Sequence, residues 1–227
     1  MIKKAVSFVV IAIFSLMLFA VIKEWETASR LKPLAREYVT REPAELGASN
    51  LVTAIVVTYR GLDTLGEVTV LFLAAAGVGL FLKLRDREKK TPRRNSSEIL
   101  KTGITFVLPA IIMFGVYIFL NGHLTPGGGF QGGAVIASGV LLLLLTFPDY
   151  RPKYGAIHTI ESLSGTFYVL AGIAGLVLAG GFLDNRFLPA GNFGQILSAG
   201  AIPLIYTFIG LKVGTELTGI LSNMKGE

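Results

Sequence analysis

The sequence predicts an all-α integral membrane protein of about six transmembrane helices, and three observations carry that prediction. Of the 227 residues 52% are hydrophobic and 27 are glycine, with a mean hydropathy of +0.63, a composition that suits helices surrounded by lipid. Apolar runs near the length of about 20 residues that one crossing needs recur along the chain. Basic residues crowd into one connection between such runs, the pattern of a cytoplasmic loop.

Composition also excludes functions. The chain has no cysteine. That removes disulfides, thiolate metal sites, thioether haem attachment and Cys-ligated iron–sulfur clusters, so no cofactor is expected. The net charge of +6 does not point to nucleic acid, because no soluble domain is present to offer a groove.

The first span is Ala5 to Ile22, with Lys3 and Lys4 before it and Lys23, Glu24 and Trp25 after it, the tryptophan placed as an interfacial anchor. The run is long for the apolar core of a signal peptide and lacks a small-residue cleavage site, so it reads as a membrane anchor. Lys23 to Asn50 is a polar, nearly charge-balanced loop in which Pro33 and Pro43 limit helix to a short surface piece. Leu51 to Tyr59, nine residues, is too short to cross and reads as an interfacial segment or a half-helix leading into the second span, Gly66 to Leu82. Lys83 to Lys101 is the basic loop. Its Thr91-Pro92 and Asn95-Ser96-Ser97 bring turn and helix-start chemistry, so it divides a two-helix module, residues 1–90, from a four-helix module, residues 91–227. The four later spans are Thr102 to Leu120, Gly132 to Phe147, His158 to Leu183 and Ile196 to Leu221. With the basic loop inside, alternation puts both termini in the cytoplasm, and Lys3, Lys4, Arg151, Lys153 and Lys225 fall on that side. The expected location is therefore the cell membrane, as a multi-pass protein.

Polar residues inside apolar runs carry the functional signal, since a charge at the centre of a span costs roughly 2.5–3.5 kcal/mol and calls for a protein partner or a watery path. Asp63 and Glu67 are four apart and share a helix face, where two acids can bind a cation or relay a proton. The alternative has Asp63 capping the helix and pairing with Arg60, and Glu67 in the first turn favoured by the helix dipole. Lys212 and Glu216, again four apart, lie within the last span. They either neutralise one another to hold the helix in place or serve proton carriage, with Lys212 tuning Glu216. His123 opens a Gly-rich turn containing Pro126, Gly127, Gly128, Gly129 and Phe130, which reads as a re-entrant turn packed under neighbouring helices. The histidine is either a proton relay or a hydrogen-bonded structural residue. No G-K-[ST] follows the glycines, so they are not a nucleotide loop. His158 and Glu161, three apart, can pair near the cytoplasmic interface, and the set Gly172, Gly175, Gly180 and Gly181 suggests close helix packing.

The stretch Asn121 to Gly133, with its core G-H-x-x-P-G-G-G-F-x-G-G, resembles the MnhB-like, or B-type, component of the Mrp-type multisubunit Na+/H+ antiporters. Leu188-Pro189-Ala190-Gly191-Asn192-Phe193-Gly194 and Gly210-Leu211-Lys212-Val213 with Glu216 resemble the end of the same domain, so the likeness covers roughly Lys101 to Ser222. Upstream, Val52 to Glu67, with an intact R-G-x-D-T-L-G-E core, is similar to the carboxyl-terminal part of the large A-type component of those antiporters. Both pieces also occur in archaeal respiratory complexes that share the Mrp-like module, the membrane-bound hydrogenases and sulfane sulfur reductases. Their fusion in one chain inclines the reading to that group. The resemblance implies a small membrane subunit without a redox cofactor that helps to form a Na+ or proton route. Its partners would be A- or D-like antiporter subunits, small C-, E-, F- and G-like subunits and a hydrogenase-like peripheral arm. It raises Asp63, Glu67, His123, Lys212 and Glu216 as candidate path residues, with no catalytic residue and no tightly bound metal beyond a transient Na+. Two alternatives stay open: a scaffold subunit without ion contact, and a subunit of a stand-alone antiporter.

Overall fold

The computed structural model describes residues 2–23, 30–84 and 96–225. Trp25 and most of the basic loop, including Arg85, Arg87, Lys89, Lys90, Arg93 and Arg94, lie outside the described residues, as does the 90/91 division between modules. Among the described residues eight α-helices are found, α1 (Ile2–Lys23), α2 (Pro33–Leu46), α3 (Leu51–Ala54), α4 (Gly61–Leu84), α5 (Glu98–Leu120), α6 (Gly129–Thr146), α7 (Tyr154–Ala179) and α8 (Ile202–Lys225). A π-helical segment, Ile55–Tyr59, joins α3 to α4, and a 3-10 turn, Asn185–Phe187, lies between α7 and α8. Among the described residues there is no strand, and six helices, α1 and α4 to α8, are long and apolar enough to cross a membrane.

The chain forms two compact units, Met1–Glu37 and Tyr38–Glu227. In the first, α1 is apolar on all sides, as a lipid-embedded helix must be. The second is organised around α8, which packs against α4, α5, α6 and α7, while α6 also packs along α5. Small residues make these contacts possible. A Cβ on Gly132 would stand 2.5 Å from the Gly115 carbonyl of α5, and one on Gly133 would stand 2.8 Å from the Gly210 carbonyl of α8. Side chains there would force α6 away from both neighbours, and in lipid such close packing is the main force that holds helices together. Serine and threonine in the spans satisfy themselves in the same setting: Thr69, Ser138, Thr146, Thr166 and Thr215 each donate to the carbonyl four residues earlier.

Several element bounds differ from the sequence expectation for identifiable reasons. Neither proline limits the helix as expected: Pro33 begins α2 and Pro43 lies inside it, so the polar loop holds a helix of 14 residues. One face of that helix is buried, through Glu42 and Leu46. The nine residues Leu51 to Tyr59 do form a half-helix that leads into α4. Its start is fixed by Asn50, whose side chain accepts a hydrogen bond from Thr53 N. Ser97 caps α5 in the same way through Leu100 N. The fifth span starts at Tyr154 rather than His158 and stops at Gly180, which takes the left-handed conformation (φ 85°) that a helix end of this kind requires. The last span starts at Ile202, not Ile196. Residues 196–201 are instead drawn into a loop, with Ala199 N bonded to the Ala190 carbonyl at 2.8 Å and Ala201 N to the Asn185 carbonyl at 3.0 Å.

Candidate functional site

Polar side chains collect in three places in the second unit. The first is the Gly-rich turn between α5 and α6, which α3 grips. Asn50 Nδ2 donates to the carbonyls of Gly122 and Thr125 at 2.8 and 3.0 Å, and Thr53 Oγ1 donates to the Gly122 carbonyl at 2.7 Å. The Tyr206 hydroxyl of α8 donates to Thr53 Oγ1 at 3.1 Å, and Asn50 N donates to the His123 carbonyl. Gly122 has to be glycine because a Cβ would meet the Tyr206 ring at 2.7 Å, and Gly129 because one would meet Ile209 Cβ at 2.6 Å. His123 is fully buried, with Nε2 at 3.1 Å from the Gln195 carbonyl, so Nε2 carries the hydrogen and donates. Burial pushes its pKa down against the help of backbone hydrogen bonds, which keeps the ring neutral. This geometry is that of a latch.

The second place is the middle of the helix cluster. Lys212 Nζ stands 2.5 Å from Glu216 Oε1, with the lysine side chain 13% exposed and the glutamate side chain fully buried. The ammonium also lies over the Phe72 ring of α4, 5.0 Å from its centroid, a cation–π contact in a desolvated setting. Gly165 of α7 leaves room for the lysine stem, since a Cβ there would stand 3.3 Å from Lys212 Cδ. Glu216 Oε2 and the buried Tyr168 hydroxyl have no hydrogen-bond partner among the described residues. A cavity of about 220 Å³ between α4, α7 and α8 is lined by Leu65, Phe72, Tyr168 and Lys212, among others. Its lining is largely apolar, with Thr69, Tyr168 and Lys212 as its polar residues. Tyr168 lies within electrostatic reach of Glu67. Glu216 lies within reach of Glu161, which pairs with His158 at 3.3 Å.

The third place is the end of the unit where α4 and α8 begin. Asp63 sits in the first turn of α4, exposed, and pairs with Arg60 at 2.6 Å, the helix-start geometry. Asp184 holds Arg186 at 2.5 Å and accepts from Arg186 N, so its carboxyl is pulled below the usual range, first by the arginine hydrogen bond. Asn185 is buried and ties three segments together through the carbonyls of Leu46 and Ala199 and the Thr58 hydroxyl.

Of the five candidate residues, the structure thus joins Lys212 and Glu216 and sets Glu67, exposed on α4, near the same cavity. Asp63 and His123 stand apart from it. Sequence reasoning misses Tyr168, which reads as any aromatic residue in an apolar run, and Glu42, which reads as a solvated loop residue. The glycines 172 and 175 make room for the chain that returns after α7. A Cβ on Gly175 would meet the Asp184 backbone at 2.7 Å, and one on Gly172 would clash with the Phe182 ring.

Comparison with known proteins adds a family. Residues 99–219 match the model of a domain related to the MnhB subunit of Na+/H+ antiporters, and residues 4–98 match the MbhE model, which describes the E-type component of MBH. An uncharacterised protein of Methanocaldococcus jannaschii is 31% identical over 191 residues, covering 72% of each chain. The B-type component of the Na+/H+ antiporter of Bacillus subtilis is 36% identical over 87 residues, covering 38% of this chain and 55% of that protein. Among solved structures, a chain of the membrane-bound sulfane sulfur reductase, an archaeal respiratory membrane complex, superposes with a TM-score of 0.83 at 41% identity over 100% of both chains. A chain of the Mrp complex from Dietzia sp. shares the fold, with a TM-score of 0.77 at 24% identity over 99% of this chain and 26% of that one.

Proposed function

This chain belongs to the family of domains related to the MnhB subunit of Na+/H+ antiporters, and from that membership we propose that it helps to form the cation or proton path of an archaeal respiratory complex. It is a membrane subunit of an Mrp-like module. The respiratory setting is favoured by the likeness over the full length of a sulfane sulfur reductase chain, which the shorter B-type antiporter component does not offer. Two modules, 1–90 and 91–227, are supported by the two family models, which meet at residues 98 and 99. Both termini face the cytoplasm in this reading, on the strength of the basic residues of the 83–101 loop together with Lys3, Lys4, Arg151, Lys153 and Lys225.

The observation that carries the path is the Lys212–Glu216 pair, held deep in a membrane-spanning helix, with Lys212 lining the cavity between α4, α7 and α8. Among the described residues, Glu216 Oε2 and the Tyr168 hydroxyl, which are both buried, have no hydrogen-bond partner. An ion pair kept only for packing would be expected to have its remaining lone pairs filled. Unfilled ones beside a cavity suit mobile water and a passing ion. The sequence of groups is then Glu67, Tyr168, Lys212, Glu216 and Glu161, running from the start of α4 towards the start of α7. Lys212 acts as modulator and the acids as transient ligands. No tightly held metal is needed; a Na+ in transit or a proton suffices.

The partners follow as A- or D-like antiporter subunits, the small C-, E-, F- and G-like subunits and a hydrogenase-like arm. Purification of the native assembly through a tag on this chain tests that reading. Mrp-like membrane subunits together with a redox arm are expected. Antiporter subunits without such an arm would transfer the chain to a stand-alone antiporter, and recovery of a fully active lone monomer would defeat the subunit reading altogether.

A further inference from the structure

A second carboxylate group lies away from the α8 pair, where α2 meets the π-helical segment and the 3-10 turn. Glu42 is 1% exposed, and neither of its carboxylate oxygens has a hydrogen-bond partner among the described residues. Glu45, three residues on, is exposed and accepts a hydrogen bond from the Tyr59 hydroxyl at 3.3 Å. The charge of Glu45 acts on Glu42, and the charges of both act on Tyr59. The Tyr38 ring packs against Tyr59 with centroids 5.4 Å apart. The guanidinium of Arg186 acts on Tyr59 and Glu45 but is already held by Asp184 through three side-chain contacts.

A carboxylate shut away from water with no donor at either oxygen does not stay charged; it is cheaper to take up a proton. A neighbouring acid of the same sign strengthens that tendency, as in carboxylate pairs that share one proton. We infer that Glu42 and Glu45 form a proton-exchange site, in which Glu42 stores the proton inside the protein and exposed Glu45 passes it to and from water. In release, the Glu42 O–H bond breaks, the proton bonds to a Glu45 carboxylate oxygen and then leaves to water. Glu42 is left as the carboxylate and Glu45 returns to its starting state. Tyr59 keeps its own proton throughout and orients Glu45 by donating to it, since burial and the two carboxylates push its phenol up. Burial first and Glu45 second raise the Glu42 carboxyl to about 7, the range in which such a site fills and empties under ordinary conditions. The site requires nothing of the Lys212–Glu216 pair, so either can fail alone.

Infrared difference spectroscopy of the full chain in its assembly, titrated across about pH 7, tests this. The carbonyl band of a protonated carboxyl should fade as pH rises through that value. Glu42→Gln should abolish the band, and Glu45→Gln should keep it while moving its midpoint down, because a like charge has been removed. A band that survives in Glu42→Gln, or a wild-type midpoint in the ordinary carboxylate range, would overturn the proposal. So would an unmoved midpoint in Glu45→Gln, which also covers the case in which the Glu42 variant fails to fold.

Discussion

Replacing Lys212 by Met separates the structural from the transport role of the α8 pair. The substitution removes the ammonium 2.5 Å from Glu216 and leaves a fully buried carboxylate with neither an ion partner nor a hydrogen bond to Oε2 among the described residues. Breaking a buried pair from one side costs about 3–5 kcal/mol. Loss of the cation–π contact with Phe72 adds about 0.5–2 kcal/mol. The double variant Lys212→Met with Glu216→Met takes both charges away and fills the space with side chains of similar length. Replacing a whole buried pair in this way is often neutral or stabilising by about 1–4 kcal/mol. Unfolding of the assembly in detergent, followed by helix content against denaturant, should therefore show the single variant well below wild type and the double variant at or above it. A single variant as stable as wild type would mean that Glu216 finds another partner, and the geometry of the pair would not be what controls this site.

Other substitutions read other parts of the fold. Gly132→Ala puts a methyl 2.5 Å from the Gly115 carbonyl and should cost about 1–3 kcal/mol in thermal unfolding of the assembly, whereas Gly77→Ala, with open space around it, should change little. Asn50→Ala strips donors from the carbonyls of Gly122 and Thr125, so the Gly-rich turn should lose about 1–3 kcal/mol of protection in hydrogen exchange; unchanged exchange would refute the latch. The lowered Asp184 carboxyl contributes stability that is complete above the ordinary carboxylate pKa and is lost as pH falls through the lowered value. Asp184→Asn should flatten that acid limb of the stability profile. The raised Glu42 carboxyl works in the opposite sense, with stability greatest below its ordinary value of 4.5 and lost as pH rises to about 7, and Glu42→Gln should remove that slope.

The membrane helices were legible because apolar length has one dominant cause, the thickness of the bilayer. Where competing forces set a boundary, the sequence was less informative. Ile196 and Leu197 look like the start of a span, yet they are drawn into a loop by hydrogen bonds with residues near 185 and 190, which no local pattern reveals. The i, i+4 spacing of Lys212 and Glu216 foretold their pairing because helix geometry alone produces it. Tyr168 and the cavity come from three helices distant in sequence, and only packing brings them together. Glu42 was hidden for a related reason. Pro43 beside it argued against a helix, and without the helix its buried face could not be anticipated.

Ion flux through the assembled complex in proteoliposomes, with Glu67 and Glu216 both replaced by Gln, tests the central claim most directly. Glutamine keeps the shape of each side chain and removes its ability to carry a proton or hold a cation as an anion. The complex should assemble with the same subunits and lose its coupled Na+ or proton transport. Full transport with both carboxylates gone would contradict the path through α8 and leave the chain as a scaffold.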